Sequence, residues 1–114
     1  MNEPTTTDFR DIADADAALA LRNRPDVALL YLHDPWCPIS SRAIRQLEAL
    51  GGPIEMVDVE AHPDLASTIE TMTGIRHESP QAIVLRDGKP VWSASHFAIT
   101  TDAVRRALAQ AQTA

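Results

Sequence analysis

The sequence predicts an α/β domain: a mixed four-stranded sheet flanked by helices on both faces, with a short extra N-terminal strand as an option. Three observations predict it. Strand-like apolar runs alternate with helical stretches from Asp14 to Thr73, the order of a sheet whose strands are joined by helical crossovers. The run "VALLYLH" is apolar almost throughout, as a strand covered on both sides must be. Near the end, "DGKP" separates two strand-like runs, and an Asp-Gly pair in that place signals a β-hairpin.

Taken in order, "DADAALALRNR" from Asp14 to Arg24 opens with acids, closes with arginines and stops at Pro25, so it reads as a helix. Val27 to His33 is the central strand. Ile39, Ala43, Leu47 and Leu50 then recur at helical spacing before Gly51 and Gly52, which predicts an amphipathic helix over Pro38–Leu50. "IEMVDV", Ile54 to Val59, is the second strand. His62 to Thr73 carries Leu65, Ile69 and Met72 on one face, with Pro63 suited to a first turn and Gly74 to a C-terminal cap. Residues 82–95 form the hairpin. Thr100 caps the last helix: Ile99 and Val104 have the spacing of a hydrophobic staple, and Val104, Ala107, Leu108 and Ala111 make a stripe. Two strand–helix units with parallel strands, a hairpin and a closing helix make a thioredoxin-like arrangement.

At 114 residues and 45% hydrophobic content, the chain is expected to form one domain over residues 9–114, preceded by a flexible polar start at residues 1–8. Sixteen acidic against ten basic side chains give a formal charge of −6, and the arginines are scattered, so no nucleic-acid partner is expected. No apolar run is long enough for a membrane span and no secretory signal opens the chain, so the expected address is the cytoplasm, with no membrane partner and a monomeric state.

Cys37 is the only cysteine, and it stands where a strand gives way to a helix. Backbone N–H groups and the helix dipole at such a junction favour thiolate over thiol, the nucleophilic form. Ser40 occupies the position at which a dithiol CxxC motif has its second cysteine, so no internal disulfide can form. Its hydroxyl either donates to the thiolate or serves as an ordinary first-turn hydroxyl. Pro38 suits the first turn, and Trp36 offers an apolar wall beside the sulfur. Pro80 directly precedes a strand. In a thioredoxin-like fold that loop carries a cis-proline lying against the cysteine, so Ser79–Pro80 is expected to be cis. His33 or His77 near the sulfur would favour thiolate when protonated. No CxxC or HxxxH spacing occurs, so no metal is expected. Asp58 reads as a strand-end acid capping the next helix, Trp92 and Phe97 as core or groove wall.

Three segments carry a family resemblance: "CPIS" at Cys37–Ser40, "HESPQ" at His77–Gln81 and the Ser95–Thr100 ending "SHFAIT". In this order and spacing, over nearly the whole chain from about residue 8, the sequence resembles the monothiol bacilliredoxins. Where members of that family tend to have Ser-Thr before the cysteine, this chain has Asp34, Pro35 and Trp36, closer to the Trp-Cys pair of thioredoxin. The resemblance implies a thiol-disulfide oxidoreductase without a cofactor, using bacillithiol, a low-molecular-weight thiol, as co-substrate. Cys37 would be the nucleophile and Ser40 its support, with Trp36, Pro38, His77, Ser79 and Pro80 contacting bacillithiolated client proteins. Two rival readings stand beside it. A monothiol-glutaredoxin-like iron–sulfur carrier would have Gly-Phe between Cys and Ser, whereas this chain has Pro38-Ile39. A non-catalytic peptide-binding module would survive loss of the thiol.

Overall fold

A computed structural model describes residues 6–113. The elements are β1 (Thr7–Asp11), α1 (Ala15–Ala20) with a 3-10 turn at Leu21–Asn23, β2 (Val27–His33), α2 (Pro38–Glu48), β3 (Gly52–Asp58), α3 (Pro63–Thr73), β4 (Gln81–Arg86), β5 (Lys89–Ser95), a 3-10 turn at His96–Ala98, and α4 (Thr101–Thr113). The five strands form one sheet in the order β1-β3-β2-β4-β5. β1 and β2 run parallel to β3, while β4 is antiparallel to β2 and β5 antiparallel to β4.

β2 lies at the centre of this sheet, and its alternation divides the core. Leu30 and Leu32 face one side, where they join Leu65 and Ile69 of α3 and Ala18 of α1. Leu29 and Tyr31 face the other, among Ala43 and Leu47 of α2 and Val104, Ala107 and Ala111 of α4. A strand packed by helices on both faces has no polar side to show, which is why "VALLYLH" reads as an unbroken apolar run.

The sheet has five strands where four were expected, because β1 forms the optional N-terminal strand. It takes in Thr7 and Asp8, which the sequence assigned to a flexible start; residues 1–5 and 114 lie outside the described residues. Thr7 anchors it: its hydroxyl donates to the Glu48 carbonyl at 2.8 Å and accepts the Gly51 N–H at 2.8 Å. Phe9 packs against the core and Ile12, just beyond the strand, is buried.

Local chemistry bounds α1, α3 and α4, while α2 ends at Glu48, two residues before the predicted Leu50. The Asp14 carboxylate accepts the Ala17 N–H at 2.8 Å to cap α1, and the Thr100 hydroxyl accepts the Ala103 N–H at 3.2 Å to cap α4. Gly74 closes α3 in the left-handed region at φ 72°. Asp87 and Gly88 both adopt positive φ in the hairpin turn, the conformation that a two-residue turn between twisted strands requires. A Cβ at Gly88 would also overlap the backbone carbonyl of Arg22. Gly88→Ala is therefore expected to lower stability by about 1–3 kcal/mol, from backbone strain and displacement of the Arg22 carbonyl. Urea unfolding followed by circular dichroism measures it; an unchanged midpoint would contradict this account of the turn.

Candidate active site

Three segments meet at one end of the sheet. β2 ends at His33, and the next residues fold into a tight turn in which the Cys37 N–H donates to the Asp34 carbonyl at 3.0 Å. Asp34 braces that turn from within, its carboxylate accepting the Trp36 N–H at 3.0 Å. Cys37 is the N-cap residue of α2 in extended backbone, followed by Pro38 at the first helical position. Proline costs nothing there, since the N–H it lacks would have no helical partner. The thiol is free and the residue half-buried, with its backbone fixed by the turn and the helix start.

The second segment is the loop before β4. The Ser79–Pro80 peptide bond is cis, as expected from its place at the strand entrance. Leu32 of β2 pairs with Gln81 of β4, so the sheet register brings Pro80 to the end of β2 from which the Asp34–Cys37 turn departs. Gln81 is buried and holds this loop in place: its side-chain amide donates to the Arg76 carbonyl at 3.0 Å. His77 lies half-buried with Nε2 3.2 Å from the Ser79 hydroxyl, and its backbone N–H donates to the Glu70 carboxylate at 2.9 Å. His77, Glu78, Ser79, Asp34 and Glu60 line an open cleft beside the turn, acidic in character.

The third segment is the His96–Ala98 turn. His96 adopts φ 54° and its N–H donates to the Pro80 carbonyl at 3.0 Å, which ties this turn to the loop before β4. Phe97, expected in the core or a groove wall, is 61% exposed and covers the Arg42 guanidinium of α2 at 5.3 Å. Trp36, expected as a wall beside the sulfur, is 80% exposed, so most of its ring faces solvent. Trp92 does pack against the core.

Of the two roles open to Ser40, the structure favours the architectural one. Ser40 is fully buried, and its hydroxyl accepts the Asp34 N–H at 3.2 Å, while among the described residues it makes no hydrogen bond with the Cys37 sulfur. The hydroxyl braces the turn that carries the thiol. Asp58 accepts the Glu60 and Ala61 N–H groups, both at 3.0 Å. It therefore caps the turn after β3 rather than α3 itself, whose N-cap is His62.

Tyr31 was not singled out by the sequence as a site residue. It is fully buried, and its hydroxyl donates to the Ser40 carbonyl at 3.0 Å and lies 3.2 Å from His33 Nδ1. Burial pushes the phenol well above its ordinary pKa, against the lowering effect of its hydrogen bond to Ser40, with smaller upward contributions from Cys37 and Asp34. The same burial lowers the pKa of His33, opposed by the nearby carboxylates of Asp58 and Asp34. The available signal was a lone phenol in an aliphatic central strand, since a buried hydroxyl needs a partner.

A sequence profile of the family "Monothiol bacilliredoxin BrxC" matches residues 9–104. The chain belongs to the monothiol bacilliredoxin family. It is a thiol-disulfide oxidoreductase of thioredoxin fold. Among solved structures, a protein described as a putative oxidoreductase with a thioredoxin fold aligns at TM-score 0.80 and 24% identity, over 87% of this chain and 92% of its own. Thioredoxin from Malassezia sympodialis aligns at TM-score 0.74 and 16% identity, over 98% and 96%. Thioredoxin from Fasciola hepatica aligns at TM-score 0.69 and 19% identity, over 90% and 98%. Within this bacilliredoxin's described residues, no group of three or more His, Cys, Asp or Glu side chains is placed to hold a metal ion, and no helix is long and apolar enough to cross a membrane.

His33 has a consequence for stability. Its pKa in the folded protein lies below the unfolded value, so between the two the unfolded chain binds more protons and stability rises with pH. The contribution is complete above the ordinary histidine range, near pH 6.5, and is lost as pH falls below it. Urea midpoints at about pH 7.5 and about pH 5 should therefore fall more in the wild type than in His33→Gln. Equal falls would show that His33 is not held neutral by burial.

Proposed function

We propose that this bacilliredoxin removes bacillithiol from protein mixed disulfides, with Cys37 as its nucleophile. One observation carries the reading: the chain's single cysteine is half-buried at the N-cap of α2, in a family whose name describes one-thiol chemistry on this small thiol. The Cys37 thiolate attacks the bacillithiol sulfur of a client mixed disulfide. The client's sulfur leaves with the bonding pair and takes up a proton, so the client is reduced and Cys37 becomes the new mixed disulfide. The position of the sulfur suits the step, because the positive end of the α2 dipole faces the charge that must be held before attack.

Release of the adduct needs a thiol from outside, since no second cysteine exists in the chain. One copy of the protein suffices for each step, and a reducing compartment such as the cytoplasm supplies the resolving thiol. Trp36 and Pro38, both exposed beside Cys37 in sequence, and the loop of His77, Ser79 and the buried cis Pro80 are proposed to contact the client segment around its disulfide. No cofactor enters the step.

Single-turnover reduction of a bacillithiol-capped reporter protein, followed by intact mass, tests this. Wild type should release the reporter and carry one bacillithiol on Cys37, and Cys37→Ser should do neither. Ser40→Cys should shed the small thiol as an internal disulfide, because residues one helical turn apart can bring their sulfurs together. Ser40→Ala should slow exchange by no more than a few-fold, while the unpaired Asp34 N–H costs about 1–2 kcal/mol of stability. Activity retained by Cys37→Ser would end the proposal.

A further inference from the structure

Arg42 is a cation without an anion. It stands on α2 five residues after Cys37, a helical rise of about 7.5 Å. Among the described residues its guanidinium makes no hydrogen bond and no ion pair, and Nη1 is sealed from solvent with no acceptor, while Nε and Nη2 are not sealed. Buried polar groups are nearly always partnered, so an exception calls for an explanation. The ring of Phe97 lies over this guanidinium, 5.3 Å from Cζ to the centroid, although Phe97 is itself 61% exposed. A ring held over a cation takes water from one face of the charge, and a less hydrated charge pairs more strongly with an anion. The turn that carries the ring is also fixed. His96 keeps φ 54°, which a non-glycine residue adopts only where its surroundings impose it, and its N–H donates to the Pro80 carbonyl at 3.0 Å. Arg42 is therefore held between the helix that starts at Cys37 and the turn bonded to the Pro80 loop.

We infer that Arg42, with Phe97 over it, is a specificity-determining residue for exchange at Cys37: its open Nε and Nη2 edge pairs with a carboxylate on the low-molecular-weight thiol whose sulfur Cys37 attacks. The inference rests on the reading of Cys37 as the reacting thiol. In that reading the small thiol is the part of the substrate that stays the same from one client to the next, which suits recognition by a fixed side chain. The edge of a guanidinium meets a carboxylate through two parallel N–H···O bonds, a geometry that a lysine ammonium cannot reproduce. Charge directs the carboxylate to this place. The open cleft lined by Asp34, Glu60 and Glu78 repels it, and Arg42 has no carboxylate of its own chain to give up among the described residues.

Two caps on one reporter protein separate this role from a structural one. Glutathione carries two carboxylates, and glutathione diethyl ester has the same skeleton with both masked. In single turnover followed by intact mass, Arg42→Gln should release the glutathione-capped reporter about fivefold more slowly than wild type, and the ester-capped one within about twofold of it. Arg42→Lys should fall between, because it keeps the charge and loses the fork. Phe97→Ala should show the same selectivity with a smaller factor, and about 0.5 M salt should shrink the wild-type preference for the acid cap. A third reporter, ester-capped and with Asp or Asn beside its cysteine, tests the client as the source of the carboxylate. Slowing by Arg42→Gln that follows that Asp would overturn the inference, as would equal slowing on both caps, slowing on neither, or a wild type that reacts with neither. Each of these leaves Cys37 in its role if the bacillithiol-capped reporter is still reduced. Reaction retained in Cys37→Ser would instead overturn the reading of Cys37, and the role of Arg42 with it.

Discussion

The Tyr31 hydroxyl holds the first turn of α2 against the central strand. Its bond to the Ser40 carbonyl at 3.0 Å is buried, where a hydroxyl left without a partner would cost about 1–3 kcal/mol. The strand before it is aliphatic and packed on both faces, so among the described residues the phenol's partners are the Ser40 carbonyl and His33 Nδ1. The helix start is therefore fixed to the sheet from below by Tyr31, and from above by the Ser40 hydroxyl accepting the Asp34 N–H. Cys37 sits between these two anchors. A thiol that attacks a disulfide gains little from a mobile loop, because attack requires the sulfurs in line.

The opposite wall is held by a separate set of contacts. Gln81 ties down the residues before β4, and the His96 N–H to the Pro80 carbonyl joins that loop to the turn before α4. α4 is fastened to α2 by Thr101, whose hydroxyl donates to the Gln46 carbonyl at 2.6 Å. The loops around the cysteine thus belong to one braced frame. What projects from it is aromatic: Trp36 and Phe97 stand largely in solvent.

Much of this was legible in the sequence because its causes are local. Helix caps, the Asp-Gly turn and the doubly covered strand each follow from a few adjacent residues, and the junction at Cys37 follows from where strand and helix patterns meet. β1 was harder to read because an edge strand buries little: Asp8, Arg10 and Asp11 alternate with only Thr7 and Phe9, and its anchor is the distant end of α2. The role of Ser40 was open for a similar reason. Its partner, the Asp34 N–H, precedes it across a turn whose shape no spacing rule specifies, and a hydroxyl at a first turn has several acceptors and donors in reach. Trp36 and Phe97 look like core residues by type, and only the fold shows that their side chains leave it.

The function proposed for this bacilliredoxin depends on one half-buried cysteine at a helix start that takes up a small thiol. Intact mass of the protein isolated from its own cells after a brief oxidant exposure tests that most directly, with peptide mapping to locate any adduct. The expected result is a population carrying one low-molecular-weight thiol, of bacillithiol's mass, on Cys37 and removable by reductant. A protein that stays unmodified at Cys37 while the cell's other proteins are recovered from their mixed disulfides would contradict it.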